Sequence, residues 1–419
     1  MYLQIESDNI VAIKASFLYC GAEPVRESHM DGPGIKSIEV FSVRIPQDES
    51  YLGGLGPGEQ VNPRGYFVRS GNRTIYPAQM RSAVVRVTLD DGQEGWGETY
   101  GLVAPKAIKA FVEDLIEPFV IGRSPFQAGA IWEDLYDLQR VRGYTGGFWL
   151  DAMAAVDIAL WDLVGKLTGQ PLHNLLGGAH RKRVPAYVSG LPRPTLEQRI
   201  DLARSFADRG FDAVKIAAVV SYDGVEREIE ALRRALGPEV ALMVDCHWMY
   251  TPGEAIALSE RLRQYDVTFI EAPCKTEDVE GLAEIARASR IPIAAGEEWR
   301  TVYDARARLD RRAVSIVQPE MGHTGITQFM RIAHYAQAHH AQVIPHATIG
   351  AGFFLAASLH ASATILSLPW HEFQHSIFPH SVSMMDGRLE CDGGSYCLPE
   401  GPGLGVTPAA RFWENCEKL

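Results

Sequence analysis

Asp245, Glu271 and Glu297 recur every 26 residues, and each closes a short apolar run: Met243-Val244-Asp245, Phe269-Ile270-Glu271 and Ala294-Ala295-Gly296-Glu297. Carboxylates gathered in one place repel one another unless a cation sits among them. A donor set of hard oxygens, with no cysteine or histidine, selects Mg2+ over zinc. One Mg2+ per subunit, held by Asp245, Glu271 and Glu297, is therefore expected. Opposite them, His346 ends the run Val343-Ile344-Pro345-His346, and Glu320 follows Ile316-Val317-Gln318. A carboxylate on one imidazole nitrogen fixes the tautomer and raises the basicity of the other, which makes His346 a candidate general base oriented by Glu320. The proton next to a carboxylate is too weakly acidic for imidazole unless a cation takes up the charge of the developing enediolate. Metal and base thus belong to one reaction.

A repeat of strand, loop and helix would bring these residues together. His346 and Glu372 are again 26 residues apart, Val214-Lys215-Ile216 fits a second strand, and the run from Val184 to Ser189 fits a first. Eight such strands predict an α/β fold, a (β/α)8 TIM-like barrel with its chemistry at the carboxyl ends of the strands. Residues 1–150 read differently. Strand-like stretches such as Val84 to Leu89, closing on Asp90-Asp91-Gly92, alternate there with Gly/Pro-rich loops at 21–37 and 53–72. This predicts an N-terminal α+β capping domain, a barrel over 151–385 that opens with a helix from Asp151 to Lys166, and a tail over 386–419 that returns to complete the cap.

Composition narrows the partners. With 40 Lys plus Arg against 52 Asp plus Glu, the 419-residue chain carries a formal charge of −12, which argues against nucleic acid and anionic membranes. A small-molecule substrate is expected instead. Six cysteines without a C-x-x-C pair, and a start lacking a basic head and apolar run, fit a cytoplasmic protein. The apolar stretch from Gly350 to Trp370 carries His360 and three serines, so it reads as a buried helix.

The motifs together resemble the enolase superfamily, and within it the mandelate racemase subgroup. They are Leu89-Asp90-Asp91-Gly92 with Gly95-Trp96-Gly97-Glu98, Asp157-Ile158-Ala159-Leu160-Trp161-Asp162 with Gly165-Lys166, Leu175-Leu176-Gly177-Gly178, and Gly401-Pro402-Gly403-Leu404-Gly405. That family pairs a Lys or His base with Mg2+. The resemblance implies the metal ligands and His346 named above, a homo-oligomer, and a role for Glu372 in hydrogen-bonding the substrate carboxylate or enediolate. Two positions depart from it. Lys215-Ile216-Ala217 replaces the racemases' Lys-x-Lys, which removes the second base and leaves Lys215 to neutralise a carboxylate; Glu320 stands where Asp is usual. Asp245-Cys246-His247 is similar to the pattern of D-galactonate and D-mannonate dehydratases, and strand alternation would turn His247 to the same side as Asp245. His247 is then the acid for a departing β-hydroxyl. The implied reaction is dehydration of a sugar acid, an aldonate or aldarate, to a 2-keto-3-deoxy acid. His29, Arg64, Tyr66 and Tyr144 are expected to contact substrate from the lid loops and the segment before the barrel.

Two alternatives stay open. An epimerase or lactone cycloisomerase would use the same enediolate. His371-Glu372-Phe373-Gln374-His375 is a literal H-E-x-x-H, the zinc-peptidase signature, which requires a helix to put both histidines on one face.

Overall fold

The computed structural model describes residues 32–46, 53–346 and 350–419. In the cap, Ile35–Arg44, Arg81–Leu89 and Glu94–Tyr100 pair antiparallel, and Cys416–Lys418 adds to the outer edge of the first. Alternation along Arg81–Leu89 sends Ala83, Val85, Val87 and Leu89 to one apolar cluster and Val84 to the other. Gly92, at φ 87°, closes the hairpin that follows.

The 22-residue helix Gly147–Thr168 lies on this sheet with most of its residues buried, as an apolar surface on nearly every side requires. Gly95 and Gly97 permit that approach. A Cβ on Gly97 would sit 1.8 Å from the carbonyl oxygen of Ala155, and one on Gly95 would sit 2.3 Å from that of Ala159. Asp162 ties three segments together by accepting the backbone N–H groups of Trp96 and Leu404, both at 2.9 Å, and the Lys166 ammonium at 2.7 Å. Glu98 anchors the cap to the barrel. It accepts the N–H groups of Gly352, Phe353 and Phe354 at 3.1, 2.9 and 3.2 Å, where the positive end of the helix Phe353–Ala363 favours a carboxylate. That helix is buried throughout, and none of the described helices is long and apolar enough to cross a membrane.

The barrel strands are Arg183–Ser189, Ala213–Ala217, Ala241–Asp245, Val267–Glu271, Ile293–Ala295, Ile316–Val317, Gln342–Val343 and His371–Phe373, joined by helices. Neighbours pair in parallel from first to seventh, and the eighth pairs with the first. Hydrogen bonds from Val343 N–H to the Ser367 carbonyl and from Glu372 N–H to the Pro345 carbonyl link the seventh to the eighth. A floor of Tyr187, Ala213, Met243, Phe269, Ile316 and Ile344 fills the interior. The strand period of two fixes what comes next.

Candidate active site

Two residues beyond the floor, the same strands present Lys215, Asp245, Glu271, Gln318 and His346, and Glu372 stands two beyond Trp370. Pairing places Asp245 directly beside Glu271 and beside Ala217. Glu297 comes from the turn after the fifth strand, whose hinge is Gly296 at φ 137°.

Strand alternation is not what positions His247. The third strand ends at Asp245, and His247 and Trp248 both adopt left-handed backbone, φ 45° and 55°, which is rare for such side chains. Asp245 Oδ1 accepts the backbone N–H of His247 at 2.9 Å and holds this turn. The His247 ring still borders the cavity, with Nδ1 3.1 Å from Asp245 Oδ1 but not aligned for a hydrogen bond.

His346 Nδ1 donates to Glu320 Oε2 at 2.8 Å, and its Nε2 is 2.8 Å from Glu297 Oε2 and 3.8 Å from Glu372 Oε2. Glu320 is fixed in turn, because Oε1 caps the next helix through Gly322 N–H at 3.0 Å and Oε2 also accepts the Tyr100 hydroxyl at 2.9 Å. The extra methylene relative to Asp therefore still reaches the imidazole. Lys215 Nζ is held between Glu271 Oε2 at 2.6 Å and Glu372 Oε1 at 3.0 Å.

Charge and burial set the proton affinities. Burial pushes Asp245 up to about 7, with Lys215 opposing and Glu297 assisting, and pushes Glu271 up to about 8 against the pull of Lys215. Burial would also raise Glu372, but Lys215 and His346 pull it down to about 2. Glu297 falls below the usual range, because the His346 imidazole outweighs the burial that would raise it. Burial disfavours charge on His346, yet Glu297 and Glu372 carry it well above the ordinary histidine value. For His247 burial wins and lowers the value.

These residues fit a hard divalent cation. Glu271 Oε1 is buried with no hydrogen-bond partner among the described residues, and burial, with like charge nearby, drives the adjacent carboxyls of Asp245 and Glu271 toward their protonated forms. Ligand atoms of Glu271, Glu297 and His346 lie within 4.8 Å of one another. His346 belongs to that group through its ion pair with Glu297. Asp245 is not in that group, although strand pairing sets it directly beside Glu271.

A cavity of about 420 Å³ opens above, bordered by His247, Glu297 and His346 on the barrel side and by Tyr76, Tyr100 and Phe148 on the other. The expected lid contacts are not brought there. Arg64 and Tyr144 are exposed, the Tyr66 hydroxyl accepts the Ala104 N–H at 3.2 Å, and His29 lies outside the described residues. The cavity wall includes residues that sequence reasoning missed, namely Tyr76, Tyr100, Asp151, Arg300 and His323. His323 follows Glu320 by three residues at the start of a helix, a spacing that puts both on one side.

The zinc-peptidase reading is overturned. His371 and Glu372 lie on the eighth strand, not on a helix, so their side chains face opposite ways. His371 bonds Ser358 Oγ at 2.8 Å, while His375 Nε2 reaches the Gly190 carbonyl at 2.9 Å.

Residues 198–412 match the family model described as enolase C-terminal domain-like, and residues 68–177 match mandelate racemase / muconate lactonizing enzyme, N-terminal domain. The chain is 34% identical over 336 residues to D-galactarolactone cycloisomerase of Agrobacterium fabrum, covering 77% of this chain and 88% of that one. It is 30% identical over 334 residues to arabinonate dehydratase of Saccharolobus solfataricus, covering 78% and 88%. Among solved structures, an enolase superfamily member from Agrobacterium tumefaciens superposes with a TM-score of 0.90 at 51% identity, covering 92% of this chain and all of that one. A mandelate racemase/muconate lactonizing protein from Paracoccus denitrificans complexed with magnesium gives 0.77 at 27% identity, covering 93% and 99%.

Proposed function

The chain belongs to the enolase superfamily, with the capping and barrel domains of its mandelate racemase and muconate lactonizing enzyme group, and from that premise we propose that it is a Mg2+-dependent dehydratase of a sugar acid. One observation carries this reading: His346 and His247 border a single cavity, while Ala217 stands where a racemase would carry its second base. One imidazole to take the α-proton and another to serve the β-hydroxyl is the equipment that elimination of water needs.

In this reading Asp245, Glu271 and Glu297 hold the metal, which when bound would stabilise negative charge on the substrate carboxylate and enediolate. With Glu297 committed to the cation rather than paired to His346 at 2.8 Å, His346 Nε2 would be free to take the α-proton, its ring fixed by the 2.8 Å bond from Nδ1 to Glu320. Lys215 and Glu372 face the carboxylate end, Lys215 supplying positive charge and Glu372 a hydrogen-bonding oxygen. His247, on the cavity wall with His346, gives a ring proton to the β-hydroxyl as its C–O bond breaks, so that the oxygen leaves as water. The enol then ketonises to a 2-keto-3-deoxy acid. The proposal extends to a division into a lid domain at 1–150, a catalytic barrel at 151–385 and a returning segment at 386–419, assembled as a homo-oligomer.

Similarity to D-galactarolactone cycloisomerase favours a second reading, in which the same enediolate forms and no water is lost. Incubation with aldonates, aldarates and their lactones in Mg2+ and deuterium oxide separates the two. A 2-keto-3-deoxy product supports the dehydratase. Deuterium at C2 of an isomer that has lost no water supports the cycloisomerase or an epimerase. No reaction with any acid sugar sinks both.

A further inference from the structure

A second histidine–carboxylate pair borders the same cavity, and the mechanism above makes no use of it. Asp151, 3% exposed near the start of the helix Gly147–Thr168, accepts His323 Nδ1–H at 2.8 Å and Arg300 Nε–H at 2.9 Å. At that distance from a carboxylate oxygen, Nδ1 carries the proton, so the neutral ring has its lone pair on Nε2. That nitrogen has no hydrogen-bond partner among the described residues, although His323 borders the cavity. The ring is also fixed in plane, stacked on Tyr100 with centroids 4.5 Å apart and 21° between planes. Arg300 does not compete for the role, because Asp151 neutralises it and Nη1 is committed to the Glu298 carbonyl at 2.8 Å.

We propose that His323 is a further substrate-contacting residue, whose Nε2 accepts a hydroxyl hydrogen of the sugar acid along the wall formed with Tyr100 and Phe148, with Asp151 as its positioning residue. This rests on the sugar-acid reading. A fixed acceptor of this kind selects a chain that carries a hydroxyl at that point over one that lacks it, because an unfilled acceptor is left desolvated.

The test uses the full chain with Mg2+, first measuring binding of galactonate and arabinonate by calorimetry and turnover by product analysis. His323→Phe keeps the stack on Tyr100 and removes the acceptor; His323→Gln restores an acceptor. For an acid that the unmodified protein binds, His323→Phe is expected to weaken binding or raise KM about tenfold or more, with C2 proton exchange at saturation changed less than threefold. His323→Gln and the unmodified protein should then lie close together. In 15N-histidine spectra, Asp151→Asn should shift the His323 ring from a single tautomer toward a mixture while the other histidine signals stay in place, as general loosening of the fold would not leave them. Binding by His323→Phe within twofold of the unmodified protein overturns the proposal while leaving the sugar-acid reading intact. If neither acid nor any other sugar acid binds, the sugar-acid reading itself fails and the proposal falls with it.

Discussion

Lys215 and Glu271, on the second and fourth barrel strands, hold each other at 2.6 Å with both side chains almost wholly buried. The same ammonium reaches Glu372 at 3.0 Å, so one cation serves two carboxylates in a low-dielectric interior. Lys215→Met strands both. Breaking a buried pair by removing one partner costs about 3–5 kcal/mol. Thermal melts in EDTA should show the variant well below the unmodified protein, with part of the gap closed by Mg2+. Equal melting temperatures in EDTA are the outcome against the pairing.

The residues at strand ends were readable because the βα unit has a nearly constant length: a period of 26 residues put Asp245, Glu271 and Glu297 in line, and His346 with Glu372. The barrel followed from that rhythm, and the floor confirms its physical basis, since every functional side chain on a strand lies two residues past an apolar one. The cap side had no such rhythm. Tyr100 meets Glu320 across 220 residues, and Asp151 meets His323 across 172, so no local pattern announces either contact. Arg64 and Tyr144 have side chains that suit a sugar acid, but both are exposed, and exposed positions offer the same chemistry without a site. Strand alternation predicts the side His247 takes, but the residue reaches the cavity through left-handed backbone beyond the strand end.

Gly97 can be tested without touching the site. A methyl there collides with the Ala155 carbonyl at 1.8 Å, which is backbone and cannot rotate away, so Gly97→Ala should cost at least about 3 kcal/mol or prevent folding. Gly129 makes the matched control. It sits within the helix Ala128–Arg140 with nothing within 4 Å of its added Cβ, so Gly129→Ala should gain about 0.5–1 kcal/mol from helix propensity. Denaturant unfolding of the two variants checks both signs at once.

His346→Asn and His247→Asn should divide the reaction. The first removes the group that takes the α-proton, so exchange of the C2 hydrogen with solvent deuterium is expected to fall about 10²–10⁴-fold, and product with it. The second should leave exchange within a few-fold and lower formation of the 2-keto-3-deoxy acid by a similar factor. Proton NMR in deuterium oxide follows both events in one sample. Normal dehydration by His247→Asn would remove that residue from the elimination step.

The metal-free protein should lose stability as pH rises through neutrality. Burial raises Asp245 from 3.8 to about 7 and Glu271 from 4.5 to about 8, so the folded state binds protons that the unfolded chain has released over that window. Stability then declines with pH, because the unfolded state binds fewer protons. His346, raised well above 6.5, adds the same sign above that value, and Glu297 and Glu372, both pulled down, act only below 4.5. Mg2+ needs these carboxylates ionised, so its affinity should climb over the same range and its binding should offset the decline. The buried His247, His360 and His371, all lowered, oppose this trend up to about pH 6.5, so melting temperatures in EDTA are expected to fall from about pH 7 to about pH 8.5, with the fall removed by millimolar Mg2+. The Asp245→Asn variant should show a shallower decline in EDTA and a weaker response to Mg2+. A flat or rising profile in EDTA means that these acids do not share one buried, cation-seeking site.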